Sequence, residues 1–262
     1  MLRYLDHLVI LVRDLAQAVG DYEALGFTVM PGGTHADGLT HNALISFADG
    51  TYLELIAFVD PADPRDNGWG WRQFLAAGGG LIDYCVASDD LEADVVAFRA
   101  AGFSMSGPTL GGRRRPDGAE LGWLSARFWQ AGRELPFLIQ DMTPRTLRVP
   151  SGAATEHANG ASGIRELMIA TADLDRISRH CATLTGSQAP AFSPDRRRDA
   201  QLTTFTIGQH SLIFAEPASP FSPIQQHIET IGLGPCEVML TAPGGNTLLD
   251  TRRTHGVRIW LG

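Results

Sequence analysis

The sequence predicts an α+β protein built from a repeated unit, and three observations carry that expectation. One is Asp49-Gly50 between two apolar runs, which reads as a tight turn joining antiparallel strands at residues 41–47 and 51–58. Another is an order of strand, helix, strand, strand, strand that begins at the N-terminus and restarts near residues 81, 164 and 236. The third is phase: Asp14-Leu15 lies seven residues after His7, Asp90-Leu91 seven after Asp83, and Asp173-Leu174 seven after Glu166. A spacing of ~70 to 85 residues exceeds solenoid repeats and points to duplicated modules that pair.

Taken in order, residues 4–12 are apolar and β-branched, a buried strand. Asp14 caps a helix over 15–25 that Gly26 ends; residues 27–30 form a short strand, and Gly32, Gly33 and Gly38 mark a polar loop before the hairpin. After a connector with a helical stretch at 71–77, a strand at 81–86 and a helix at 91–101 repeat the pattern, and Gly102-Phe103 matches Gly26-Phe27. Residues 121–129 and 135–140 supply the second hairpin. Residues 146–162 are rich in Pro, Ser, Gly, Ala and Thr and read as a linker between a domain at 1–145 and a second at 163–262. In the second, residues 164–169 open a third unit with a hairpin at 203–207 and 211–215, and residues 236–240 and 256–261 make a truncated fourth.

At 262 residues and 44% apolar, the chain has length for one large domain or two small ones. Its net charge of −8 argues against a nucleic-acid partner, whose phosphates demand a basic face. No run approaches the roughly 18 to 20 apolar residues of a membrane helix. The N-terminus lacks a signal-peptide layout, so the expectation is a cytoplasmic protein with no membrane partner. Cys85, Cys181 and Cys236 are odd in number and sit in apolar or helical stretches, as buried thiols do. All 21 basic residues are Arg, and the absence of Lys excludes Schiff-base chemistry on the protein and a Walker phosphate loop.

Period two puts Tyr52, Glu54 and Ile56 on one strand face, while His7 lies within the first strand. Either that face is wet and Glu54 solvates it, or it is the concave side of a sheet and Glu54 is a ligand or base. Arg113-Arg114-Arg115 begins 30 residues after Asp83, and Arg196-Arg197-Arg198 begins 30 after Glu166, which predicts equivalent loops. Each triplet is a solvated charge run or a guanidinium clamp for an anion. His41-Asn42 opens a strand as a turn-proximal polar pair or as substrate hydrogen-bonding groups. Trp123 and Trp129, six residues apart on one strand, are core packing or a stacking platform; His35 and the remaining histidines lack paired spacing.

The stretches His7-Leu8-Val9-Ile10-Leu11-Val12-Arg13-Asp14-Leu15, Thr40-His41-Asn42-Ala43-Leu44, Tyr52-Leu53-Glu54-Leu55-Ile56, Arg115-Pro116-Asp117-Gly118 and Leu135-Pro136-Phe137-Leu138-Ile139 resemble glyoxalase-like proteins of the vicinal oxygen chelate superfamily. The resemblance implies tandem βαβββ modules that pair into cupped mixed sheets around a divalent metal, held by first- and fourth-strand residues. It maps the metal ligands onto His7, Glu54, Asp83 and Gln140, with a His more usual where Asp83 stands, and leaves Zn, Mn, Fe and Ni open. Glu54 is the expected catalytic group, and His41, Asn42, Arg113, Arg115 and Trp123 the expected substrate contacts. The implied activity is that of a lyase, isomerase or dioxygenase on a small oxygenated metabolite, in a chain that forms a homodimer. The alternative is a metal-free binding protein of the bleomycin-resistance type. Glu166 and Glu237 take the equivalent first-strand places in the later units with Leu212 or Ile213 opposite, so chelation is expected from the first half alone. Those two glutamates are then wet, hydrogen-bonded, or paired with residues such as Arg165 or Arg258.

Overall fold

The computed structural model describes residues 2–129 and 132–262. The first unit is β1 (Leu2–Leu11), α1 (Leu15–Ala24), β2 (Met30–His35), β3 (Thr40–Ser46) and β4 (Tyr52–Phe58). The second is β5 (Gly80–Ser88), α2 (Leu91–Ala100), β6 (Met105–Arg114), β7 (Glu120–Phe128) and β8 (Phe137–Asp141). After a short helix α3 (Arg145–Arg148), the third unit runs β9 (Gly163–Ala170), α4 (Leu174–Thr185), β10 (Ser193–Asp195), β11 (Ala200–Ile207) and β12 (His210–Pro217). Helix α5 (Pro223–Thr230) leads to β13 (Gly234–Thr241), β14 (Thr247–Leu248) and β15 (Arg258–Leu261), a fourth unit with no helix between its first two strands.

The repeated phase has a local cause. Asp14, Asp90 and Asp173 each stand before a helix and accept a hydrogen bond from the backbone N–H three residues on, at 3.0, 3.0 and 2.8 Å. Each thereby satisfies one of the amides a helix start leaves unpaired. The Asp49-Gly50 turn joins β3 to β4 in the expected register, Ser46 opposite Tyr52 and Leu44 opposite Glu54, with Gly50 at φ +88°.

Eight strands close into a barrel in the order β1-β4-β3-β2-β6-β7-β8-β5. Within each unit the first strand runs parallel to the fourth, and the two units meet antiparallel through β1 and β5. Strands β1, β4 and β5 are buried on both faces, which explains their continuous apolar runs. Val9, Leu11, Ile56, Phe58, Cys85, Phe137 and Ile139 pack with Trp71 in one cluster. Their alternates Leu8, Ile10, Leu53 and Leu55 join Tyr22, Val95 and Phe98 of the helices, in a core that also holds Ile164, Leu167, Phe214 and Val238. The second half is an open seven-stranded sheet in the order β10-β11-β12-β9-β13-β15-β14.

Two expectations are corrected here. Arg113 and Arg114 end strand β6 rather than occupying a loop, and they pair with His35 and Thr34 of β2, whereas Arg196–Arg198 turn between β10 and β11. The predicted polar loop is strand β2, and its glycines serve close packing. A Cβ on Gly32 would lie 2.0 Å from Asn42 Oδ1 and 2.7 Å from Arg113 Nη1. Residues 146–162, between the two expected domains, pack on the barrel: Arg148 is buried, and His157 accepts from the Thr28 amide.

Candidate functional site

A cavity of about 320 Å³ opens inside the barrel. Its polar floor is built from β1 and β4. Asp6 precedes His7, and its carboxylate accepts from His7 Nδ1 at 2.7 Å, from Arg148 Nη1 at 2.8 Å and Nη2 at 3.0 Å, and from Arg145. Burial pushes the Asp6 carboxyl up, but Arg148, His7 and Arg145 outweigh it and hold the group well below its ordinary value. The proton of His7 is thereby assigned to Nδ1, and Nε2 is left facing Glu54 Oε2 at 3.6 Å. The Tyr52 ring stacks on the imidazole at 4.5 Å, and its hydroxyl accepts from Arg148 at 2.8 Å.

Glu54 is the centre of the floor. It is 6% exposed and accepts one hydrogen bond, from Asn42 Nδ2 at 2.6 Å. His35 Nε2 faces that same oxygen, Oε1, at 3.6 Å, while Nδ1 of the same ring meets Thr40 Oγ1 at 2.9 Å. Burial pushes the Glu54 carboxyl up; His35, His7, the Asn42 amide and Arg113 together bring it below its ordinary value. Burial also lowers His35, against the opposing pull of the Glu54 carboxylate. Arg113 Nη1 donates to Asn42 Oδ1 at 3.1 Å, so Asn42 stands between the carboxylate and the guanidinium.

The remaining expected site residues divide. His7, Asn42, Glu54, Arg113 and Trp123 all line the cavity. Asp83 is on the inner face of β5, but its oxygens accept from Trp71 Nε1 at 2.9 Å and Tyr84 N at 2.9 Å, and burial pushes its carboxyl up. Gln140 is not brought to the site: it faces α2, where its side-chain oxygen accepts from Leu91 N at 2.8 Å. Strand register explains the difference. Val9 pairs with Glu54 and Cys85 with Phe137, so Phe137 stands in the second unit where Glu54 stands in the first. His41 alternates with Asn42 and points away from the cavity, and Arg115 reaches out to Leu147 O and Asp117. Trp129 is 57% exposed, beneath the Arg127 guanidinium.

Residues that sequence reasoning passed over complete the site. His35 was masked by the glycines around it. Trp69, Trp71 and Phe137 form an aromatic wall, with Trp69 and Trp71 stacked at 5.2 Å and Trp69 against Phe137 at 4.8 Å. Of the described groups, Asp6, His7 and Cys85 bring metal-ligating atoms within 4.8 Å of one another. That trio is a poor cation site, because the Asp6 oxygens are taken by two guanidinium groups and burial holds the Cys85 thiol protonated. Among the described residues, donors that remain open are His7 Nε2, Glu54 Oε2 and His35 Nε2, while Glu54 Oε1 accepts from Asn42.

Comparison with solved structures supports the fold. A hypothetical protein from Staphylococcus aureus superposes with a TM-score of 0.74 at 12% identity, over 100% of this chain and 99% of that one. A mutant of 4-hydroxymandelate synthase from Streptomyces coelicolor gives 0.65 at 12% identity, over 100% of this chain and 92% of that one. A fusion of a xylose isomerase-like TIM barrel with a 4-hydroxyphenylpyruvate dioxygenase gives 0.52 at 15% identity, over 93% of this chain and 37% of that one. Comparison with curated proteins finds no match. Residues 5–185 match the family model described as a glyoxalase-like domain. With its paired βαβββ units, the chain belongs to the glyoxalase-like domain family of the vicinal oxygen chelate fold.

Proposed function

We propose that the barrel cavity is the active site of an enzyme acting on a small oxygenated metabolite, with Glu54 as the catalytic group and a divalent metal held by His7 and Glu54, with His35 as the nearest third donor. The carrying observation is Glu54 itself. It is a buried, ionised carboxylate that touches no guanidinium and is flanked by two imidazole nitrogens at 3.6 Å. Buried carboxylates require a counter-charge, and two imidazoles with a carboxylate are a donor set for Zn, Mn, Fe or Ni. Bound there, such an ion supplies a Lewis acid that polarises adjacent substrate oxygens.

The chain's own groups do the rest. Asp6 keeps the His7 proton on Nδ1, so Nε2 faces the cavity as an acceptor. Asn42 anchors Glu54 Oε1 and leaves Oε2 free to take a proton from a bound substrate. The aromatic wall excludes water around the carboxylate and strengthens its electrostatics.

A second reading, a metal-free binder, is favoured by one specific observation: the second unit offers no open ligand, with Asp83 closed by Trp71 and Phe137 at the place equivalent to Glu54. Elemental analysis of protein purified without chelator, followed by calorimetric titration with each metal, separates the two. Near-stoichiometric uptake that His7→Ala and Glu54→Gln abolish, with circular dichroism unchanged, is the expected result. Less than about a tenth of an equivalent, with no uptake on titration, overturns the metal-enzyme reading in favour of the binder.

A further inference from the structure

We propose that the cavity is shaped for an aromatic carboxylate, with its ring against the aromatic surface of Trp69, Trp71, Phe137 and Trp123 and its anionic group on Arg113. This rests on the proposed use of the cavity but not on the metal.

The charges around the cavity argue for an anion. Arg145 and Arg148 are answered by Asp6 and Asp141. Arg113 is not. It is 5% exposed, donates to Asn42 Oδ1 and to Arg148 O at 2.9 Å, and among the described residues has no ion pair and no partner for its buried Nε. Asn42 is the reason: by giving its amide nitrogen to Glu54 and its oxygen to Arg113, it stands between the two charges and keeps them from direct contact. A buried guanidinium without a counter-ion is costly, and a planar carboxylate matches its geometry. Arg127, also lining the cavity, donates to Trp69 O at 2.9 Å and likewise forms no ion pair among the described residues.

The walls argue for a ring. Trp69, Trp71 and Phe137 are in mutual contact, and Phe137 meets His7 edge-on at 5.3 Å. On the neighbouring strand β7, Trp123 packs against the same cluster, lies over Gly111, where a Cβ would come within 2.5 Å of the indole nitrogen, and stands edge-on to His35 at 6.0 Å. Trp69 and Trp123 are only partly buried, so both offer surface to a ligand. A glycine opposite Trp123 is what lets the indole lie flat. A continuous aromatic surface selects a flat ring, since offset and edge-on contacts add to plain burial.

The test uses three probes on the full chain, with and without added metal: phenylacetate, its saturated counterpart cyclohexylacetate, and the neutral phenylacetamide. Tryptophan fluorescence and calorimetry are expected to rank phenylacetate about tenfold tighter than either of the others, in both metal states. Arg113→Gln is expected to erase the preference for the acid over the amide, and Trp69→Leu the preference for the aromatic over the saturated ring. Equal affinity for the three probes in the unmodified protein, or no phenylacetate binding, overturns the inference without reliance on any variant. If the acid and ring preferences persist in a protein that takes up no metal, the inference stands while the metal-enzyme reading falls.

Discussion

The two halves of this chain are built from related units and put acidic residues on corresponding first strands, yet among the described residues it is the barrel that encloses a cavity with open donors. In the barrel, Glu54 meets two imidazoles and an amide. In the open sheet, Glu237 is held by Arg198 and by Arg258 at 2.9 Å, and Glu166 by Arg165 at 3.2 Å. The expectation that those glutamates pair with arginines holds, and register places Ile213 where Glu54 would be: Ser211 pairs with Glu166 as Tyr52 pairs with His7. Closure makes the second difference. Strand β2 reaches β6 in the barrel, whereas the later sheet ends at β10 on one side and β14 on the other. A carboxylate neutralised by arginine is a structural element, and one left facing imidazoles inside a closed wall is available for chemistry.

The sharpest way to break that contrast is to remove an arginine from each half. Arg148→Met strips the fully buried Asp6 of its principal partner, an expected loss of about 3 to 5 kcal/mol in urea unfolding. Arg258→Met, on a half-exposed side chain, is expected to cost below about 1 kcal/mol. Equal losses would erase the distinction between a buried floor and a solvated sheet. Gly32→Ala comes next: the added methyl collides with Asn42 and Arg113, an expected loss of about 1 to 3 kcal/mol by calorimetric melting.

Acid titration sharpens the comparison further. Burial, helped by Arg133, lowers His227 in the second half to about 4 from 6.5. The unfolded chain binds that proton first, so stability falls as pH drops from 6.5 towards 4, and His227→Gln flattens this limb in melts across the range. Asp6, held well below 3.8, contributes fully above that value and loses its contribution only as pH falls through it, so the barrel floor fails later. Smallest of all is Glu166→Gln, within about 0.5 kcal/mol and without effect on metal or probe binding; loss of binding there would move the site to the wrong half.

Much of the fold was legible because its signals are local. An Asp before each helix and a Gly in each turn act within three or four residues, so the unit boundaries could be counted. His7 and Glu54 were legible as well, since alternation assigns a strand face. Gln140 was misplaced because a parallel ladder has no turn to set its register, and the pairing of Cys85 with Phe137 is decided by packing across β5. Arg148 gave no signal, because its partner Asp6 is 142 residues away and its own surroundings are rich in Pro and Ser. His35 was hidden by Gly32 and Gly33, which read as a loop although β2 needs them to pass Asn42 and Arg114.

The seam between β2 and β6 has a further consequence. Only Thr34 with Arg114 and His35 with Arg113 are in register there, and the second pair supplies two cavity side chains. Opening the seam therefore takes His35 and Arg113 apart, and a ligand that grips both must release one before the wall can part. Occupancy of the cavity and local unfolding of this edge are thus opposed equilibria. The amide protons of this short ladder become a direct gauge of whether the cavity is filled: their exchange slows with bound ligand, while that of the free edge at β10 does not.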